Sequence, residues 1–260
     1  MAPPASPDSD VTYIELTRFT THHMHEILAI DIGNTRSKAC LFNTLGEITK
    51  RFQDHSLSRS EIQELIFKHP VGIISDVSGD PNPWQQADQY LLLNGTTETP
   101  LRCTYESRAT LGPDRLALAN GAWYLYPGQN SLIISLGTCI TYDLVLEDGS
   151  YPGGAISPGL QMRYRSLHQF TGKLPLVGHR DFDGNIGKNT EESILAGVQH
   201  GINGEVAAWM RQTKHQYKTL NILFSGGDAT SFGLSDQKRI FADPDLLFRG
   251  LYAICRHHAI

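Results

Sequence analysis

Two short stretches of this chain carry residue types that hold phosphate groups. Asp31-Ile-Gly-Asn-Thr-Arg-Ser-Lys38 and Ser135-Leu-Gly-Thr138 lie 104 residues apart, and each follows an apolar run, Leu28–Ile30 and Leu132–Ile134. Such a run reads as a buried strand, and the Gly behind it marks a turn with bared backbone. Main-chain amides and small hydroxyl or amide side chains at a tight turn suit the oxygens of a phosphate chain. In the first copy Gly33 lets a phosphate approach, Asn34 and Thr35 can donate to it, Lys38 adds a point charge, and Asp31 is placed to hold Mg²⁺ or its water shell. The second copy keeps Gly137 and Thr138 but has Ser135 at the position of Asp31, so it offers a phosphate contact without an anionic metal ligand. A third stretch, Leu111-Gly-Pro-Asp-Arg115, sets a carboxylate beside a guanidinium. Asp114 can take the proton of an attacking hydroxyl, and Arg115 can fork onto a carboxylate. Read locally, the same pair is also an ordinary helix start, its carboxylate facing the dipole and its Arg in solvent.

Elements of alternating type must position these residues. Ser37–Phe42 and Ile48–Phe52 complete a β-meander after the first strand, and Ser60–Lys68 has apolar residues at helical spacing with Ser60 as cap. Val71–Ser75 reads as a strand, Trp84–Leu93 as a helix, Leu101–Tyr105 as a strand and Asp114–Tyr126 as a long helix into the second half. There Ser131–Leu136 is followed by a hairpin, Ile140–Glu147 and Ser150–Pro152, turned at Asp148-Gly149. Leu160–Phe170 and Thr190–Gln212 read as helices, Leu220–Phe224 as a strand and Pro244–His257 as a closing helix. Gly153–Gly159 leads into a helix and reads as lining the cleft, Ser225–Ala229 as a loop under an adenine ring, and Asp181 and Asp183 as part of a solvated loop. Both halves thus give a meander with a phosphate turn, then helix and strand in alternation. Internal duplication predicts an α/β fold of two pseudo-symmetric lobes, mixed sheets flanked by helices, with the ligand cleft between them.

Composition narrows the classes further. A chain of 260 residues with 40% hydrophobic and 19% charged residues can bury a sizeable core. Its net charge of −5 gives no footprint for nucleic acid, and its longest apolar runs are too short to span a membrane. Cys40, Cys103, Cys139 and Cys255 have no CxxC spacing. They read as small buried residues of a cytoplasmic protein. Residues 1–23 lack the basic and apolar regions of a signal peptide and read as a flexible extension, with Met24 as the functional start and His22, His23 and His25 in solvent.

Taken in order, the motifs resemble the type III pantothenate kinases, within the acetate and sugar kinase/Hsp70/actin superfamily. The resemblance runs from about Met24 to the C-terminus. It rests on Asp31–Lys38, Tyr105 ahead of Gly112–Arg115, Gly137-Thr138, Gly153–Met162, Lys173-Leu-Pro175, Asn189–Ser193 and Gly226-Gly-Asp228. It implies two RNase H-like lobes, 24–113 and 114–260, and ATP-dependent phosphorylation of the primary hydroxyl of pantothenate, the first step towards coenzyme A. Asp114 would be the catalytic base. Asp31, Ile32, Gly33, Asn34, Thr35, Arg36, Ser37, Lys38 and Thr138 would hold ATP, with Mg²⁺ at Asp31. Tyr105, Gly112, Pro113, Asp114, Arg115 and Thr190 would bind pantothenate, Thr190 coming from the partner in a homodimer. Many members carry an Asp at the position of Ser135 that holds K⁺ or NH₄⁺; Ser135 removes that anionic ligand and leaves the cation requirement open. Asp76 departs from a pair that is usually small and uncharged. Two rival readings remain: a catalytically silent regulatory protein of the same fold that binds a nucleotide or metabolite, and a superfamily kinase acting on a sugar or short carboxylate.

Overall fold

Strands of three to seven residues build two sheets on one plan. β1 (Ile27–Ile32), β2 (Ser37–Phe42) and β3 (Ile48–Phe52) form an antiparallel meander, and β4 (Gly72–Asp76) and β5 (Tyr90–Leu93) add in parallel on the other side, giving the order β3-β2-β1-β4-β5. The chain then passes through β6 (Arg102–Cys103), a 3-10 turn at Arg108–Thr110 and α2 (Pro113–Leu125), α1 being Arg59–Lys68 between β3 and β4. β7 (Asn130–Leu136), β8 (Cys139–Val145), β9 (Ser150–Tyr151), β10 (Gly153–Pro158), α3 (Leu160–Gln169), α4 (Thr190–Gln216), β11 (Leu220–Ser225), β12 (Ile240–Ala242) and α5 (Leu246–His257) follow. The second sheet has the order β10-β8-β7-β11-β12, strand for strand the plan of the first. This computed structural model describes residues 26–79, 89–227 and 240–258. The expected extension over 1–23, with Met24 and His25, lies outside the described residues, as do Asp228 and Ala229 of the expected adenine loop.

Helices and sheets alternate in layers. α2 is buried along eight consecutive residues, Arg115 to Ala122, as a helix enclosed on all sides must be. It packs with α5 between the sheets, and one core joins Ala29, Cys40 and Ile73 of the first sheet to Ile133, Val145 and Leu223 of the second. α1 covers the outer face of the first sheet, and α3 and α4 cover that of the second. Gly121 and Gly250 make the α2–α5 contact possible. A Cβ at Gly121 would overlap the Leu246 carbonyl oxygen, and one at Gly250 that of Ala117. The four cysteines are free and lie on β2, β6, β8 and α5.

Four local expectations change. α1 is capped by Ser58 instead of Ser60: the Ser58 hydroxyl accepts from Glu61 N, and the Glu61 carboxylate accepts from Ser58 N at 2.8 Å. The carboxylate three residues after Ser58 is a stronger acceptor than the Gln63 amide three after Ser60. Tyr90–Leu93 is a parallel strand, not the end of a helix, because four successive apolar residues fill the sheet edge beside β4; residues 84–88 of the expected helix lie outside the described residues. Gly153–Pro158, expected only to line the cleft, is a strand and the true antiparallel partner of β8. Its glycines admit a close approach, since a Cβ at Gly154 would overlap the Tyr142 carbonyl. Ser150–Tyr151, the expected partner, pairs instead with β6. Gly149 does make the tight turn, with φ +77°.

Candidate active site

Both glycine turns sit at the same point of their sheets. The first spans Gly33–Arg36 between the paired Ile32 and Ser37, and the second spans Gly137–Cys139 between Leu136 and Ile140. In each, the glycine N–H closes the turn: Gly33 N donates to Arg36 O at 3.1 Å and Gly137 N to Cys139 O at 3.0 Å. The glycine amides are therefore spent, so a phosphate contact at either turn would have to come from the residues that follow. Asn34, Thr35 and Arg36 are exposed at the first turn, with Arg36 Nη2 on Gln53 O and Ser37 N on Ser56 Oγ. The turns of the two lobes meet directly: Thr35 Oγ1 and Thr138 Oγ1 share a hydrogen bond of 3.1 Å.

Asp31 lies one residue before the end of β1, paired with Lys38 on β2 and Ser75 on β4. Burial, then the Asp114 carboxylate, push its pKa up to about 7, and Lys38 and the Ser75 hydroxyl pull the other way. Asp76 adds to the negative field, although its carboxylate also accepts from Ser78 N and Oγ. A carboxylate held in such a field is suited to a cation. Among the described residues no group of three or more His, Cys, Asp or Glu gathers to hold a metal. Asp31 could supply one carboxylate to Mg²⁺, which is usually held by one or two carboxylates, phosphate oxygens and water.

Asp114 heads the buried inter-sheet helix. Gly112 is its N-cap, Pro113 its first residue, and the Asp114 carboxylate accepts from Arg115 N at 2.8 Å. Burial raises the Asp114 pKa, the Arg115 backbone bond opposes it, and Asp143 raises it further. Arg115 is not in solvent. It is 5% exposed and meets Asp143, itself 0% exposed, through Nε at 3.1 Å and Nη2 at 2.6 Å. Burial works against its charge, but the bonds to Asp143 outweigh it and hold the guanidinium pKa above its ordinary value. Tyr151 donates to the same carboxylate at 2.7 Å, and the Tyr105 ring lies 5.7 Å from the guanidinium carbon. Gly153, at φ +106°, leaves room for that ring, which a Cβ there would strike. Tyr105, Gly112, Pro113, Asp114 and Arg115 thus share one wall.

Thr190 stands apart: it is the exposed first residue of α4, whose cap is Asn189, accepting from Glu192 N. Ser135 pairs with Thr141 on β8 and Ser225 on β11, a row of hydroxyls where the first sheet has Lys38, Asp31 and Ser75. The bonds of Asp143 to Arg115 and Tyr151 escaped the sequence reading. The signal was present, since an Asp inside Ile140-Thr-Tyr-Asp-Leu-Val145 is buried and a buried charge needs a partner.

Two sheets of one topology, their hydroxyl turns in contact and a carboxylate at the head of the helix between them, define a two-lobed phosphotransferase of the actin and sugar kinase type. The fold recurs in the activator of the 2-hydroxyisocaproyl-CoA dehydratase from Clostridium difficile with bound ADPNP, at TM-score 0.53 and 12% identity over 90% of this chain and 97% of that one. It recurs also in a protein of Campylobacter jejuni described as of a Baf family of transcriptional activators, at TM-score 0.60 and 21% identity over 90% and 99%. At those identities the likeness is one of fold. The sequence goes further: the family model described as type III pantothenate kinase matches residues 27–212. A type III pantothenate kinase of Bacteroides fragilis is 38% identical over 239 residues, 89% of this chain and 98% of the relative, and that of Christiangramia forsetii 37% over 234 residues, 86% and 95%. The chain belongs to the type III pantothenate kinase family.

Proposed function

We propose that the protein transfers the γ-phosphoryl group of ATP to the primary hydroxyl of pantothenate, the entry into coenzyme A synthesis. The observation that carries this reading is the Thr35–Thr138 hydrogen bond: one phosphate chain can be gripped from both lobes at once, with Asp114 near enough to Asp31 to raise its pKa. Phosphoryl transfer asks a protein chiefly for alignment and charge neutralisation. Asn34, Thr35, Lys38 and Thr138 orient the phosphates, and Asp114 orients and deprotonates the attacking hydroxyl. Mg²⁺ at Asp31 would neutralise phosphate charge. Tyr105, Gly112, Pro113 and the Arg115 edge not taken by Asp143 receive pantothenate. The assay is ADP release with ATP, Mg²⁺ and pantothenate. Asp114→Asn is expected to lower turnover by about two to four orders of magnitude, and near-parent turnover would remove Asp114 from the mechanism.

The row Ser135, Thr141 and Ser225 presents no carboxylate, and Asp143, along the same strand, is committed to Arg115 and Tyr151. These residues do not fit a monovalent cation by charge, so turnover independent of K⁺ and NH₄⁺ is part of the proposal. The protein is further proposed to act as a cytoplasmic homodimer. Of the ten large hydrophobic residues exposed among those described, five fall between 156 and 186: Ile156, Met162, Phe170, Leu176 and Ile186. Such a concentration around the edge strand β10 and α3 suits a second copy, which would bring Thr190 to its neighbour's pantothenate. No helix among the described residues is long and apolar enough to cross a membrane.

A further inference from the structure

The second phosphate turn is held from behind by glycines. Gly159, the N-cap of α3, donates to Thr138 O at 3.1 Å, and a Cβ there would overlap the Gly137 carbonyl oxygen. Gly226, at φ +93°, presses on the backbone of Leu136. Thr138 can therefore sit only where the β10–α3 corner places Gly159. That corner is fixed by side chains of its own. Arg163, in the first turn of α3, donates from Nε to Pro158 O at 2.8 Å and from Nη2 to Ser157 Oγ at 2.8 Å and to Glu205 of α4. Glu205 also accepts from Tyr142 OH at 2.8 Å and Ser157 Oγ at 3.1 Å, and Trp209, one turn along α4, stacks on Tyr142 at 5.0 Å. Arg163 and Glu205 keep only 19% and 26% of their side-chain surface exposed, so the pair is shielded enough to hold one geometry.

We infer that Arg163 and Glu205 are positioning residues for the nucleotide: they fix the β10–α3 corner, which through Gly159 sets Thr138 against the phosphates. This rests on the assignment of Thr138 to ATP, and nucleotide affinity tests it without requiring pantothenate as the acceptor. Arg163→Met and Glu205→Gln would be compared with the parent by titration calorimetry with Mg²⁺-ATP, by the Michaelis constants for ATP and pantothenate, by thermal melting and by native mass. The expected result is an ATP Kd and KM about tenfold higher in each variant, the order of loss a displaced contact causes, with pantothenate KM within about twofold. The double variant should be no worse than the worse single, because the two act as one unit. Arg163→Lys keeps the charge but cannot serve Pro158, Ser157 and Glu205 together, and should recover part of the loss. Folded variants with unchanged ATP Kd overturn the inference, as does an equal rise in both Michaelis constants. Should Arg163→Met not fold, Ser157→Ala removes one arm of the corner, and a weaker ATP Kd with unchanged melting is the outcome required. A parent that binds ATP without phosphorylating pantothenate refutes the proposed reaction and leaves this test intact.

Discussion

Arg115 has a structural task, and the proposed function gives it a second that pulls a mutation in a different direction. Its Nε and Nη2 edge neutralises a carboxylate with no solvent exposure, and the proposal assigns substrate to the rest of the guanidinium. Arg115→Ala therefore leaves Asp143 buried and unpaired, and is expected to cost about 3–5 kcal/mol of stability, readable as a lowered melting temperature. The cleaner probe of the substrate clamp is Arg115→Lys, which keeps a cation near Asp143 but loses the fork. Its pantothenate KM should rise about tenfold with a much smaller loss in melting; an unchanged KM would take Arg115 off the substrate. Glu205 answers to pH instead. Burial raises its pKa, but the bonds from Arg163, Tyr142 and Ser157 outweigh burial and lower it overall. A carboxylate lowered in the folded state contributes stability that is fully present above its unfolded value, about 4.3, and lost as pH falls through the folded one. The gap in melting temperature between the parent and Glu205→Gln should thus hold above about pH 5 and narrow as pH falls below about 4.3, and a constant gap would show that the carboxylate charge contributes nothing. The positions of Asp31, Asp114 and Thr138 were legible because they lie at a strand end, a helix head and a turn, where local pattern speaks. The bonds of Arg115 to Asp143 and of Arg163 to Glu205 span 28 and 42 residues, so only the assembled sheets and helices bring them together.

At the scale of elements, the helix between the sheets carries Asp114, and its place depends on how closely it can meet α5. The two glycines at their contact leave backbone against backbone, so a single methyl must push the helices apart. Gly250→Ala is expected to cost roughly 1–3 kcal/mol, the usual range for overpacking. Gly197, exposed within α4 with nothing within 4 Å of an added Cβ, should respond with the opposite sign. There Ala is expected to gain roughly 0.5–1 kcal/mol by helix propensity alone. Denaturant midpoints of both variants check the pair, and a like sign in the two would refute the packing argument. The same contrast explains what the sequence left unread. A glycine run reads as a loop by composition, yet Gly153 and Gly154 are glycines because β10 lies under the Tyr105 ring and against the Tyr142 carbonyl. Tyr90–Leu93 is too short a run to be told from a helix end until β4 stands beside it.

At the scale of the molecule, the two halves keep one topology and divide its chemistry unequally. Each sheet ends its first strand beside a glycine turn, and each is followed by a helix led by an aspartate, Asp114 at the start of α2 and Asp245 at the cap of α5. In the first half both carboxylates remain at the turn: Asp31 on its strand and Asp114 near enough to raise its pKa. In the second, Ser135 replaces the strand carboxylate, and Asp245 is closed into an ion pair with Arg51 of β3 at 2.7 Å. The 104-residue echo made the duplication legible, and its departure at Ser135 already marked where the symmetry fails. The consequence concerns ions. A hydroxyl row can donate to or accept from a phosphate and its water, but it brings no charge to hold a monovalent cation beside the phosphates. Turnover is therefore expected to be the same, within about twofold, in K⁺, NH₄⁺ or tetramethylammonium salts of equal ionic strength, the level at which screening of exposed charges is matched. Ser135→Asp restores a carboxylate at the strand end, opposite Thr141 and Ser225. That variant should slow in tetramethylammonium, where its charge repels the phosphates, and recover when K⁺ is added. A parent that needs K⁺ would mean that neutral oxygens alone hold the ion, and a Ser135→Asp variant indifferent to it would mean that the second turn lies beyond an ion's reach.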